Sequence, residues 1–184
     1  MSFGRDDLEA LLPQLRRFAR GLTAGDTAFA DDLVQDTVVA ALEAADRFTA
    51  GTNLRAWLFT ILRNRFFNLR KRRHRTAEVA DDVQAERIAS DAPQEGRLEL
   101  LAFKHALAAL RPEQREALLL TTLHDMSIEA AAEICRCRPG TIKSRVNRGR
   151  RALKLAMAGS EAAMRAEVSA PAGREEARLV RPRR

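Results

Sequence analysis

Residues 127–154 read SIEAAAEICRCRPGTIKSRVNRGRRALK. The spacing predicts two helices, Ser127–Arg136 and Pro139 to about Met157, with only RCR at the turn between them. Ser127 suits an N-cap, and Glu129 favours the positive end of the helix dipole. Pro139 sits in a first turn, where its missing N–H is not needed. Two helices so closely joined form a helix-turn-helix, whose second helix lies in the DNA major groove. At about 100° per residue, Ile142, Val146, Gly149 and Leu153 share a buried stripe. Lys143, Ser144, Asn147, Arg148 and Arg151 spread over the remaining surface. From Pro139 to Lys154 there is no acidic residue. A solvated helix usually mixes signs, because like charges four apart repel by a few tenths of a kcal/mol. Lys143 and Arg148 suit guanine acceptors or phosphates, Asn147 suits adenine, and Ser144 lets the backbone approach. Arg138 and Thr141 join this DNA-facing set at the helix start. The plain alternative is a basic helix packed on its neighbour with its charges in water.

The whole chain agrees with a helical, nucleic-acid-binding protein. It has 184 residues, a charged fraction of 31%, only 5% aromatics, no Tyr and a net charge of +7. Such a composition favours short amphipathic helices over a sheet, and the charge points to a polyanionic partner. We therefore expect an all-α protein of two small domains joined by an acidic flexible linker. Cys135 and Cys137 have no second pair and no His at ligand spacing, which argues against structural zinc. No metal or other cofactor is expected. His74, His105 and His124 keep no catalytic spacing with carboxylates or cysteines, and no phosphate loop occurs, so no enzymatic activity is expected. His124 reads as an ordinary C-terminal cation on its helix. No apolar run approaches the length of a membrane span, and the first residues carry acids rather than the basic start of a signal peptide. The expected location is cytoplasmic or nucleoid-associated, without a membrane partner.

The expected domains are residues 1–75, a linker over 76–97, residues 98–157, and a disordered tail over 158–184. In the first domain Leu8, Leu11, Leu12, Leu15, Phe18 and Leu22 are helically spaced, with Pro13 expected to kink or restart the helix. A second helix covers about Thr27–Ala45. A third covers about Leu54–His74 after a loop whose turn chemistry comes from Gly51 and Asn53. The second domain has helices at Leu98–Leu110 and Pro112–Leu123 before the helix-turn-helix.

Two more surfaces carry chemistry. On the third helix Leu58, Ile61, Leu62, Arg65 and Leu69 share one stripe. Opposite lie Thr60, Asn64, Phe67, Asn68 and Lys71, with Trp57 and Arg75 at the edge. Rings among amides and cations suit single-stranded nucleic acid, unless Phe67 and Trp57 simply pack beneath a neighbour. On the second helix Leu33, Val34, Thr37 and Ala41 form the core stripe. Asp32, Gln35, Asp36, Val39, Leu42 and Glu43 face outward, a pattern that suits protein docking, although scattered exposed aliphatics are ordinary.

The ordered segments DDLVQDTVVAAL, NLRAWLFTILRNRFFNLRKRR and LRPEQREALLL…MSIEAAAEICRCRPGTIKSRVNRGRRAL resemble bacterial sigma factors of the extracytoplasmic-function group, over about Leu8 to Met157. The last segment is most similar to the general stress response (EcfG-type) subgroup of alphaproteobacteria. The resemblance implies one domain that binds core RNA polymerase and opens the minus-ten promoter element, and another that reads the minus-thirty-five element. By it, Asp32, Gln35, Asp36 and Val39 contact polymerase. Asn64, Asn68 and Lys71, with the Arg47–Asn53 loop, take the minus-ten element. Arg138, Thr141, Lys143, Ser144, Asn147, Arg148 and Arg151 take the minus-thirty-five element. The linker would thread polymerase's nucleic-acid channel, and a small anti-sigma protein, NepR-like, would hold the chain inactive. Many relatives carry Gly in the helix-turn-helix turn, where Arg136 stands here, so a strained or differently closed turn is expected. Two other readings remain: a stand-alone helix-turn-helix regulator, or a sigma-like decoy for an anti-sigma protein.

Overall fold

The computed structural model describes residues 3–77 and 94–169, with side chains over 3–73 and 100–159. All regular structure among them is helical. The helices are α1 (Arg5–Leu22), α2 (Thr27–Glu43), α3 (Leu54–Ala77), α4 (Gln94–Ala108), α5 (Pro112–Leu118), α6 (Ile128–Cys135) and α7 (Pro139–Ser169). A 3-10 turn, Ala45–Arg47, follows α2, and one widened turn, Leu119–Leu123, continues α5. Most of the expected linker, residues 78–93, lies outside the described residues.

Helix α1 runs unbroken through Pro13, against expectation. Pro13 is exposed, so the carbonyl it leaves unbonded can face water while Leu8, Leu15, Phe18 and Leu22 stay buried on the other side. The stripe of α2 is as expected, with Leu33, Val34, Thr37 and Ala41 buried. Asp26 caps α2 by accepting from the Phe29 N–H at 2.8 Å. On α3 the expected stripe needs correction. Leu58 and Leu62 are buried, but so are Phe59 and Phe66, whereas Ile61, Arg65 and Leu69 are only half-buried. The reason is that α3 is covered on two sides, by α1 and α2 and also by α6, and a stripe drawn for one partner misses the second. Helix α7 continues past Met157 to Ser169, so residues 158–169 of the expected disordered tail are helical. The tail from 170 lies outside the described residues.

Helices α1–α3 and α4–α7 pack against each other and share one apolar core. Phe18 stacks on Phe59 at 4.7 Å, and the His124 ring stands edge-on to both, at 5.5 and 4.8 Å. Gly21 sits where a Cβ would come within 2.6 Å of the Leu119 side chain, so any larger residue there would push Leu119 aside where α1 approaches the widened turn. Arg115, itself buried, donates to Leu22 O at 2.8 Å across the seam and to Ala108 O at 2.9 Å and Leu110 O at 3.2 Å within its own unit. It thereby satisfies helix-end carbonyls that no backbone N–H reaches. Arg55 donates to His124 O at 2.5 Å. Arg63 on α3 pairs with Glu116 on α5 at 2.6 Å, with the Glu116 side chain fully enclosed.

Candidate nucleic-acid interface

The second unit presents α7 on a scaffold of α5 and α6. Ser127 caps α6, accepting from the Ala130 N–H at 3.0 Å. At the other end Arg136 is left-handed, with φ 50° and ψ 50°. The Cys137 N–H donates to Ala132 O at 3.0 Å and the Arg136 N–H to Glu133 O at 3.1 Å, the bond pair of a Schellman ending. The turn is thus closed in the way glycine normally closes it, by an arginine that bears the steric cost. Ile142, Val146 and Gly149 of α7 are buried and Leu153 half-buried. A Cβ on Gly149 would meet Leu118 at 2.8 Å, so α5 and α7 touch almost backbone to side chain.

Opposite this buried stripe Lys143, Asn147, Arg148 and Arg151 are exposed, as is Arg138, while Thr141 and Ser144 are half-buried. Ser144 does more than stay small. Its Oγ accepts from Arg148 Nη2 at 2.9 Å, its carbonyl from Arg148 Nε at 3.3 Å, and its hydroxyl donates to Thr141 O at 3.1 Å. The Arg148 guanidinium is held along the helix rather than left to sweep through water.

On α3, Asn68 and Lys71 are exposed and Asn64 half-buried. Asn64 and Asn68 line one surface depression with Ile61, Arg65, Leu69 and Arg72. The rings beside them are already engaged. Arg63 covers the Phe67 ring at 4.9 Å, and Trp57 packs with Phe3 and Phe48 at 5.7 and 5.2 Å. Trp57 therefore belongs, half-buried, to the support of the loop before α3. The side chain of Arg75 lies outside those described. On α2, Asp32, Gln35, Asp36, Val39, Leu42 and Glu43 all face outward. Val39 and Leu42 are about half exposed, at 53% and 49%. Asp36 lies 3.7 Å from Arg65, a solvent-exposed pair of small energetic weight.

Sequence periodicity missed the groups at the seam. His124, expected to be a helix-end cation, is buried; burial first, then Arg55 and Arg17, lowers its pKa to about 4, so it is neutral near pH 7. Burial lowers Arg115 to about 10, which leaves it charged. Burial pushes the Glu116 carboxyl up against the opposing pull of Arg63. Burial, then Glu116, pushes the Cys135 thiol up and leaves it a poor nucleophile. The one available signal was an acid, Glu116, beside apolar residues at core spacing. Among the described residues no group of His, Cys, Asp and Glu fit to hold a metal is present. None of the described helices is long and apolar enough to cross a membrane.

Beside the seam runs a groove of about 510 Å³ between α1 and the second unit. Its apolar walls include Leu100, Phe103, Leu107, Leu119 and Leu123, and Arg17, Arg20, Lys104 and Arg150 also border it.

Residues 8–76 match the family model of sigma-70 region 2, and residues 100–153 that of sigma-70 region 4. The chain is 49% identical over 146 residues to the ECF RNA polymerase sigma factor EcfG of Rhodopseudomonas palustris, covering 79% of this chain and 80% of that one. It is 39% identical over 134 residues to the ECF RNA polymerase sigma factor SigC of Mycobacterium tuberculosis, covering 70% of each. Among solved structures, the sigma factor RpoE in complex with the anti-sigma factor NepR from Bartonella quintana superimposes with a TM-score of 0.74 and 44% identity, over 83% of this chain and 95% of that one. CnrH in complex with the cytosolic domain of CnrY gives a TM-score of 0.62 and 27% identity, over 86% and 92%.

Proposed function

The chain belongs to the extracytoplasmic-function sigma factors of the sigma-70 family, and from that premise we propose how its surfaces divide the work of promoter recognition. Helix α2 docks on core RNA polymerase through Asp32, Gln35, Asp36 and Val39. Helix α3 and the Arg47–Asn53 loop take the minus-ten element, with Asn64, Asn68 and Lys71 facing the separated strand. Helix α7 enters the minus-thirty-five major groove with Lys143, Asn147, Arg148 and Arg151, while Arg138, Thr141 and Ser144 place its first turns. The protein catalyses nothing itself, and it works in the cytoplasm, where polymerase is. The observation that carries this reading is the exposed face of α7 over residues 139–154, cationic and without acids, on the second helix of a helix-turn-helix.

The apolar groove beside the seam is the docking site for an anti-sigma protein of the NepR type. Its hydrophobic floor fits the apolar face of an amphipathic helix, and Arg17, Arg20, Lys104 and Arg150 fit acids flanking that face. General stress response genes are the proposed targets, on the likeness to EcfG. The test is transcription in vitro with core polymerase from the source organism, with and without this chain, on a fragmented genomic library. New starts that share two spaced upstream elements support the reading. Duplex binding without any new start would favour a stand-alone regulator, and neither activity would favour a decoy.

A further inference from the structure

The amino-terminal residues before the region 2 match at residue 8 carry an aromatic that reaches the minus-ten side of the molecule. Phe3 is buried. Its ring stands edge-on to Phe48 at 5.5 Å and 78°, and tilts against Trp57 at 5.7 Å; Phe48 and Trp57 are themselves 5.2 Å apart. The three rings close a triangle, with centroid separations in the range where aromatic pairs attract beyond simple burial.

The triangle holds both ends of one loop. Phe48 is the residue entering it, and Thr49 to Asn53 are all exposed. Asn53 then caps α3 by accepting from the Ala56 N–H at 3.1 Å, and the Trp57 N–H donates to Asn53 O at 3.1 Å. Within the loop, Thr52 bonds back to Thr49 O through its N–H at 3.1 Å and its hydroxyl at 2.7 Å. Gly51 has a positive φ of 85° and nothing within 4 Å of where a Cβ would stand. Nothing in these contacts packs over the loop tip, so its position relative to α3 is set by its two anchored ends.

Phe3 is itself firmly placed. Gly4 is the N-cap of α1, and its N–H donates to Asp7 Oδ2 at 2.8 Å, as in a capping box. Phe3 and Leu8 then occupy the two positions of a hydrophobic staple, which fixes the direction in which the chain enters the helix. Phe3 thus joins the capped start of α1 to the base of the loop.

We propose that Phe3 is a positioning residue for the Arg47–Asn53 loop and thereby sets how sharply the minus-ten element is discriminated. The inference rests on the reading of that loop as a minus-ten contact. Phe3 touches no DNA; it acts by keeping Phe48 and Trp57 in the arrangement that presents the loop.

The test compares Phe3→Ala, Phe3→Trp and Ala50→Asp with the unchanged full chain, each assembled with core polymerase on a promoter from the library experiment. The readout is the ratio of open complexes on the intact promoter to those on one with a substituted minus-ten base. Core affinity and thermal unfolding are measured alongside. Phe3→Ala is expected to lower the ratio about tenfold, on the order of the loss of one base contact's discrimination, with core affinity unchanged. Phe3→Trp is expected to recover most of it. An unchanged ratio in Phe3→Ala while Ala50→Asp lowers it would overturn the role of Phe3 alone. No effect of Ala50→Asp would overturn the loop reading beneath it. A loss that tracks core affinity or unfolding, or is not restored by Phe3→Trp, would reduce Phe3 to a stability contact.

Discussion

Replacing Arg63 by Ala should damage the seam far more than replacing its partner Glu116 by Gln. The two side chains meet at 2.6 Å, but their surroundings differ: the Arg63 side chain retains 17% exposure and Glu116 none. Removing one member of a buried pair costs about 3–5 kcal/mol when the other charge stays enclosed. Arg63→Ala leaves Glu116 enclosed with only Cys135 and the Arg145 charge beside it, and because burial already pushes its carboxyl up, proton uptake limits the cost and makes that range an upper bound. Glu116→Gln strands no such group. The amide still offers an oxygen to Arg63 Nε, and the guanidinium can swing outward, so the loss is nearer 1 kcal/mol. Parting the two units would hydrate Glu116, and the free energy of parting therefore caps the cost of Arg63→Ala. The expected result is a larger radius of gyration by solution X-ray scattering for Arg63→Ala, with each unit still helical, and a near-normal value for Glu116→Gln. Adding Glu116→Leu to Arg63→Ala removes the stranded carboxylate and should restore the compact form. Equal effects of the two single changes, or unchanged scattering in Arg63→Ala, would refute the asymmetry.

Arg136→Gly should stabilise the chain by about 0.5–1 kcal/mol, since relief of a left-handed side-chain conformation outweighs glycine's greater freedom when unfolded; a urea melt checks it. His124 supplies a pH dependence. Its folded pKa, about 4 against an ordinary 6.5, means the unfolded chain binds the proton more readily. Its contribution is therefore complete above about pH 6.5 and is lost as the pH falls towards 4. Melting temperatures over that window should fall, and His124→Phe, which keeps a ring against the edge of the Phe18–Phe59 stack, should flatten the curve. Arg148→Ala should weaken binding to the minus-thirty-five element by about 1–3 kcal/mol if the guanidinium reads a base. An equal loss on every duplex, seen by titration, would assign Arg148 to phosphate instead.

Local chemistry was legible in the chain because it depends on residues a few positions apart. The Ser127 cap, the stripe of Leu33, Val34, Thr37 and Ala41, and the cationic face of α7 follow from spacing and side-chain type alone. The Arg136 turn was equally visible as a place where glycine would fit better. What spacing could not reveal was which helices have two neighbours. Phe59 and Phe66 are buried because α1 with His124, and α2 through Phe29, cover sides of α3 that a one-partner stripe leaves in water. The continuity of α1 through Pro13 likewise depends on which side of the helix meets solvent. His124, Arg115 and the Arg63–Glu116 pair took their character from a seam between segments about 50 to 90 residues apart in sequence. Desolvation is a property of the assembled surface, and only the tertiary structure decides which polar groups lose their water.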